Sequence, residues 1–330
     1  MTRSVRHTDG IEIDLSTGET VVADASSPDG DVAVVSHAHG DHLYDDPPDA
    51  VVWSSLTADL AAVRRPDDPL PATATDDRVT LVDAGHVPGS RAALVEDEDA
   101  GRTYLYTGDM SPRARHALAG FDPPEADVLI MEATYGEPEY VFPPRGDVVA
   151  DFHDWLADNA DRPVIVFGYS LGRAQEVQLL LAESDRERVF VTEAIEKLND
   201  PVAAALDLSF PVERYSSETT LGAGDALVLP SQTNRLSFVE AIVAETGALQ
   251  AALSGWAVDS SFKYAGGYDR TFPLSDHCDF EELLWVVEQV DPDVVYTTHG
   301  STDTLATEIR SRLGYEAHSL KQNQTSLSDF

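Results

Sequence analysis

The sequence predicts an α/β protein whose chemistry sits at the ends of its strands. Three observations carry this expectation. An apolar strand-like run ends in a metal-capable or acid–base residue four times, at His37, His86, Asp109 and Glu132. From Arg145 to Leu253, apolar runs of strand length alternate with helical stretches, the order of a small parallel sheet. Third, Ser36-His37-Ala38-His39-Gly40-Asp41-His42-Leu43 follows the apolar run Asp31-Val-Ala-Val-Val. It therefore lies at a strand's C-terminal end, where α/β proteins tend to place their chemistry.

In chain order, Ile11–Leu15 alternates apolar and polar residues, and Thr20–Asp24 follows Gly18, so the pair reads as a β-hairpin. Asp24 closes it, either as a turn acid or as a brace behind the histidine loop. Val51–Trp53 reads as a short strand, Ser55–Arg65 as a helix stopped by Pro66, and residues 66–78 as surface loop. Strands are expected at Val79–Asp83, Arg91–Glu96, Thr103–Thr107 and Val128–Met131. Arg145–Ala160 reads as a helix, Pro163–Phe167 as a strand, and a helix ends near Glu183. Further strands are expected at Val189–Val191, Ala226–Leu229 and Leu249–Leu253. Phe280–Val290 is a helix, Val294–Thr298 a strand and Ser301–Leu313 one last long helix, with a frayed polar tail after Leu320.

The composition narrows the class. The 330 residues suffice for one large domain or a domain with an insertion, and 42% hydrophobic content with 8% aromatic suits a packed α/β protein. No apolar run approaches membrane-spanning length, and the start MTRSVRHTDG lacks a signal peptide's apolar segment. The expectation is a cytoplasmic protein with no membrane partner. The single cysteine, Cys278, rules out an internal disulfide framework and reads as a small packed residue. Acidic residues number 59 against 22 basic, for a formal net charge of -37. The acids are spread along a patterned chain, which suggests a folded protein adapted to high salt, where surface repulsion is screened.

The motif His37-x-His39-x-Asp41-His42 puts three imidazoles and a carboxylate within six residues. Each buried ring nitrogen needs a partner, so packing alone does not justify such a set. Imidazole with carboxylate suits zinc, with manganese a looser fit. His37 and His39 can grip one ion while Asp41 and His42 point to a second, since four candidates exceed one open catalytic site. The blander reading, a polar loop capping the next helix, needs only Asp41.

His86 lies in the turn Ala84-Gly85-His86-Val87-Pro88-Gly89-Ser90, and Asp109 ends the strand Thr103–Thr107 as a natural bridging carboxylate. Downstream, Ser275-Asp276-His277-Cys278-Asp279 precedes a helix and Thr298-His299-Gly300 ends a strand. His277 suits a proton donor near neutrality, with Glu132 accepting its other N–H. The blander reading of that segment is a helix N-terminus capped by Asp279. Gly168-Tyr-Ser170-Leu-Gly172-Arg173 leads into a helix. It is either a phosphate cradle built from Ser170, Gly172 and Arg173 or a plain strand-to-helix connection. His7, His116, His153 and His318 carry no partner signal and read as surface residues.

Together, the His-x-His-x-Asp-His loop, the Gly-His86-x-x-Gly-Ser turn and the Thr-Gly-Asp109 strand end resemble the metallo-β-lactamase fold. Glu132-Ala-Thr-Tyr-Gly, Ser275-Asp-His277 and Thr298-His299-Gly300 resemble the extra motifs of its β-CASP nucleases. That resemblance implies an αββα sandwich over residues 1–140 and 269–330, with an inserted α/β cap over 141–268. It implies two divalent ions, Zn2+ first and Mn2+ second. His37, His39 and His86 would hold one, Asp41, His42 and His299 the other, with Asp109 bridging. His277, Glu132 and Asp41 are then the catalytic candidates. The implied activity is hydrolysis of RNA or single-stranded DNA, with a DNA ligase, a helicase or RNA-processing factors as partners. A thioesterase- or lactonase-like hydrolase of the same fold is the rival enzyme, and a non-catalytic binding subunit with structural metals the rival outside catalysis.

Overall fold

The computed structural model describes residues 5–322, so the polar tail expected to fray falls largely outside the described residues. The chain divides into two units, Met1–Glu139 with His277–Phe330, and Tyr140–Asp276.

The first unit is built from two facing sheets. One is four-stranded, in the order Val5–His7, Ile11–Asp14, Thr20–Ala23, Val32–Val34. The expected hairpin is there, with Ile11 opposite Ala23 and Ile13 opposite Val21. The other is six-stranded, in the order Glu316–Ser319, Val294–Gly300, Val128–Ala133, Arg102–Tyr106, Arg91–Asp97, Val79–Asp83.

Strand pleating sorts the side chains, because alternate residues face opposite sides. Val128 and Ile130 join Ile11, Ile13, Val21 and Val34 in a core between the sheets. Their neighbours Leu129 and Met131 join Leu283, Val286, Val287 and Leu305 in a core beneath two C-terminal helices. Those helices are Phe280–Val290, with Asp279 capping its first turn, and Thr302–Glu308. On the other side, Ser55–Arg64 packs Ala58 and Ala61 against Val35, Tyr44 and Trp53. The layers are those of the αββα sandwich.

Small departures have local causes. The loop expected over 66–78 contains a two-residue strand, Ala72–Thr73, paired with Ala50–Val51. The last helix is α-helical only to Glu308 and widens into a π turn at Ile309–Leu313, ended by Gly314 at φ 82°. Glu316–Ser319 adds an edge strand too short and polar to show a pattern.

The second unit is one six-stranded sheet, ordered Glu213–Arg214, Arg188–Val191, Asp225–Pro230, Val164–Gly168, Leu249–Leu253, Arg270–Phe272. Every pairing in it is parallel. Val164 and Val166 face one core with Val177, Leu180 and Phe152, while Ile165 and Phe167 face another with Val239 and Ile242. The boundary at 268 needs correction. Residues 270–272 pair with Ala251–Leu253, so the returning chain supplies an edge strand to this sheet before it leaves.

Candidate metal centre and acid–base pair

The histidine loop begins two residues beyond the strand Val32–Val34, and Asp24 fixes its start. Asp24 stands at φ 50° and accepts the Ser36 amide at 2.7 Å and the Ser36 hydroxyl at 2.5 Å. The same carboxylate binds His42 Nδ1 at 2.8 Å and accepts the Tyr106 hydroxyl at 2.8 Å. Of the two roles open to it, Asp24 is the brace behind the loop. Ser36 Oγ in turn lies 3.0 Å from His37 Nδ1. Asp24 and Ser36 thus hold the Nδ1 side of both rings, so Nε2 of each faces the cluster.

There the donors converge. His39 Nδ1 lies 3.0 Å from His37 Nε2 and 3.3 Å from His86 Nε2. Asp109 Oδ2 lies 3.5 Å from His42 Nε2, 3.6 Å from His37 Nε2 and 3.7 Å from His86 Nε2. Among the groups able to hold an ion are His37 with His39, His86 and Asp109, then Asp24 with His37 and His42, and Asp109 with Glu132 and His277. With bonds of about 2.0–2.1 Å, tetrahedral ligand atoms stand roughly 3.3–3.4 Å apart. The spacing between these nitrogens and oxygens is close to that, so the set fits a divalent cation.

The electrostatics agree. Burial, reinforced by His42 and His39, holds His37 well below the usual imidazole range, which leaves a neutral ring with a lone pair. Burial also opposes charge on His42, but Asp109 and Asp24 outweigh it and push His42 up to about 10. Asp109 itself is raised to about 6 by burial, against the pull of His42. Two buried carboxylates around one ring demand a positive charge, which either a proton or a metal ion can supply.

His86 is held from behind by Arg115, which is buried and donates to the Gly85 and His86 carbonyls. Its sequence context gave no signal of that role. Asp41 stands apart from the expectation. It is exposed and belongs to none of these ligand groups, reaching His42 and Asp109 only as a nearby negative charge.

His299 is placed by a β-bulge. Glu132 pairs with Thr298 and Ala133 with Gly300, so His299 is the extra residue, at φ 53°. Its ring centroid lies 5.6 Å from that of His42. The ring reaches solvent, yet the protein around it and the charge on His42 push its pKa down to about 4. It is outside all of these ligand groups. His7 corrects the surface reading, since it is half-buried with its ring 5.5 Å from that of His299. His153 does too, by bonding the Leu180 carbonyl at 2.9 Å.

Beside the cluster, His277 Nδ1 lies 2.8 Å from Glu132 Oε2. Glu132 is buried, accepts the Met110 amide at 2.7 Å and takes the Thr134 hydroxyl. Burial alone would raise this carboxyl, but His277 and these donors hold it below the usual range. An ionised Glu132 fixes the His277 tautomer with its proton on Nδ1 facing the carboxylate. His277 and His86 have ring centroids 4.4 Å apart, so the pair adjoins the metal cluster. Asp279 is the helix cap and Cys278 is buried, as the sequence suggested.

The second unit's glycine turn does not present a phosphate cradle. Gly172 gives its amide to Gln175 Oε1 at 2.7 Å, Ala174 gives its amide to the Tyr169 carbonyl, and the Ser170 carbonyl accepts Gln175 Nε2. Arg173 is buried and paired with Glu176 and Asp276. The turn is the plain connection, closed by its own side chains.

Comparison with known proteins is consistent with this arrangement. Residues 270–320 match the family model described as a Zn-dependent metallo-hydrolase RNA specificity domain. The chain is 37% identical to a probable DNA ligase of Opitutus terrae, over 89% of this chain and 29% of that protein. It is 26% identical to an RNase J-like protein of Methanocaldococcus jannaschii, over 52% of this chain and 50% of that one. The chain thus spans about half or less of the length of these relatives. A solved structure from Enterococcus faecalis, of a protein of unknown function, shares the fold. Its TM-score is 0.60 over 98% of both chains at 14% identity.

Proposed function

The chain belongs to the β-CASP branch of the metallo-β-lactamase family, and on that premise we propose that it is a metal-dependent nuclease. One observation carries the reading: a buried His/Asp cluster shaped for a divalent ion adjoins a carboxylate-held histidine able to give a proton. The RNase J-like relative favours this reading over a small-molecule hydrolase of the same fold.

His37, His39, His86 and Asp109 would hold one ion, and His42 and Asp109 with His299 a second. Bound divalent ions supply Lewis-acid stabilisation of charge on a phosphoryl group and lower the pKa of water. The chain supplies the rest. Asp24 and Ser36 fix the ring orientations of His42 and His37, and Arg115 fixes the His86 loop. Glu132 holds His277 Nδ1–H, which leaves Nε2 to carry the proton given to the departing sugar oxygen. The cleaved strand then keeps its phosphate on the 5′ side.

Zinc fits the imidazole-rich donor set best, with manganese second. The substrate proposed is RNA or single-stranded DNA, cut from an end, in nucleic-acid processing or repair in the cytoplasm. The name of the Opitutus relative makes a DNA ligase a sensible partner to test. The deciding experiment digests end-labelled RNA and DNA of equal sequence at high salt with zinc or manganese. Cleavage is expected with added metal and lost on chelation. Cleavage that survives complete metal removal would overturn the reading.

A further inference from the structure

The metal cluster and the acid–base pair meet on one short loop of the first unit. Asp109 belongs to the cluster, and Met110 follows it. The Met110 amide donates to Glu132 Oε1 at 2.7 Å, and the Met110 carbonyl accepts the Cys278 amide at 2.9 Å. Met110 thus holds both Glu132 and the segment that carries His277, which are themselves joined at 2.8 Å.

Farther along this loop, Arg113 reaches the same segment. Asp279 and Glu282 form a capping box at the start of the helix Phe280–Val290. Asp279 Oδ1 accepts the Glu282 amide at 2.9 Å, and Glu282 Oε2 accepts the Asp279 amide at 3.0 Å. Those two bonds complete the box. Arg113 takes the oxygen left over on each side. Its Nη2 donates to Asp279 Oδ2 at 2.7 Å, and its Nε lies 2.6 Å from Glu282 Oε1. The Arg113 side chain is 20% exposed and that of Asp279 6%, so this is no loose surface pair. A planar guanidinium bonded to two carboxylates fixes their placement as well as their charge.

A helix cap needs no arginine, so the added clamp is explained by what it ties down. We propose that Arg113 is a positioning residue for His277, holding the helix start just beyond that ring against the loop that carries Asp109. The inference rests on the reading of His277 as the proton donor. Such a group has little tolerance, since a misplacement of about 1 Å can cost roughly 10²-fold in rate.

The test uses Arg113→Gln and Asp279→Ser in the full chain. Serine is itself a good helix cap, so Asp279→Ser keeps the helix start while removing one of the arginine's partners. Each should slow kcat on an oligonucleotide about 10–100-fold with KM and metal content little changed. Combining them should cost no more than Arg113→Gln alone, because both remove the same clamp. The loss should shrink on a phosphodiester with a nitrophenyl leaving group and vanish in a His277→Ala background. Equal losses on both substrates, losses that multiply with His277→Ala, lost metal, or full activity would overturn the inference. A readout independent of activity is the Nδ1 proton of His277, which faces Glu132. By NMR it should exchange with solvent faster in both variants. If His277→Ala costs nothing, the proton-donor reading falls, and this exchange alone then judges the positioning. Unchanged exchange in both variants overturns it.

Discussion

At the scale of single residues, the two histidines added late in the chain should fail differently. His277 Nδ1 is held by Glu132, and on the reading of its ring as the proton donor His277→Ala should keep its metal while losing roughly 10²–10⁴-fold in turnover. Glu132→Gln should fall between wild type and that variant, because the ring survives but its orientation weakens. His299→Ala should instead release or loosen one ion, read by metal analysis of protein purified without chelator. Loss of metal in His277→Ala would make that residue a ligand. Asp24→Asn tests the brace. It keeps the shape but removes the charge that holds His42 Nδ1, and metal affinity measured against a competing chelator should fall about 10–100-fold. Unchanged affinity would reduce Asp24 to a turn acid.

At the scale of elements, the bulge at His299 is the device that brings the strand end beside His42. Gly300 makes it possible: it stands at φ 80°, and a Cβ there would meet the Ala133 carbonyl oxygen at 2.3 Å. Gly300→Ala should cost about 1–3 kcal/mol in urea unfolding and carry His299 out of place, lowering metal content as well. A variant with full stability and metal would show that the bulge is not needed. The elements also mark how far the sequence could be read. Strands such as Val128–Ala133 were legible as apolar runs, and the His37–His42 loop as a ligand-dense motif. The order of the second unit's sheet was not, because parallel neighbours are chosen by tertiary packing rather than local pattern. His7 and Arg115 were invisible for a related reason. Each is a lone polar residue whose partner, His299 or the His86 loop, is brought near only by folding. Arg173 misled through its context, since a basic residue after a glycine turn suggests phosphate until burial shows it paired.

At the scale of the whole molecule, charge sets the working conditions. A formal net of -37 repels itself, and the arginines are widely spent on carboxylates, as in Arg6 with Glu12 and Asp14, Arg78 with Glu19 and Asp76, or Arg312 with Glu281. Such exposed pairs are each worth about 0–1 kcal/mol and do not offset the surplus. Screening does so more broadly: the Debye length falls from about 10 Å at 0.1 M salt to about 3 Å at 1 M. The melting temperature should therefore climb by several degrees across that range, as a stabilisation of about 1–2 kcal/mol would produce in a chain of this size. Nucleic-acid binding carries the sharper expectation. Ordinary binders weaken steeply with salt because lysines and arginines release condensed counterions from the phosphates. Here only three lysines exist, and the net field repels a polyanion, so binding of a short single strand by metal-loaded protein should hold or strengthen as salt rises. The measurement is a titration of fluorescent oligonucleotide at stepped salt concentrations. A steep loss of affinity with salt would reveal a basic groove strong enough to override the net charge, and would remove high salt as the condition this surface is suited to.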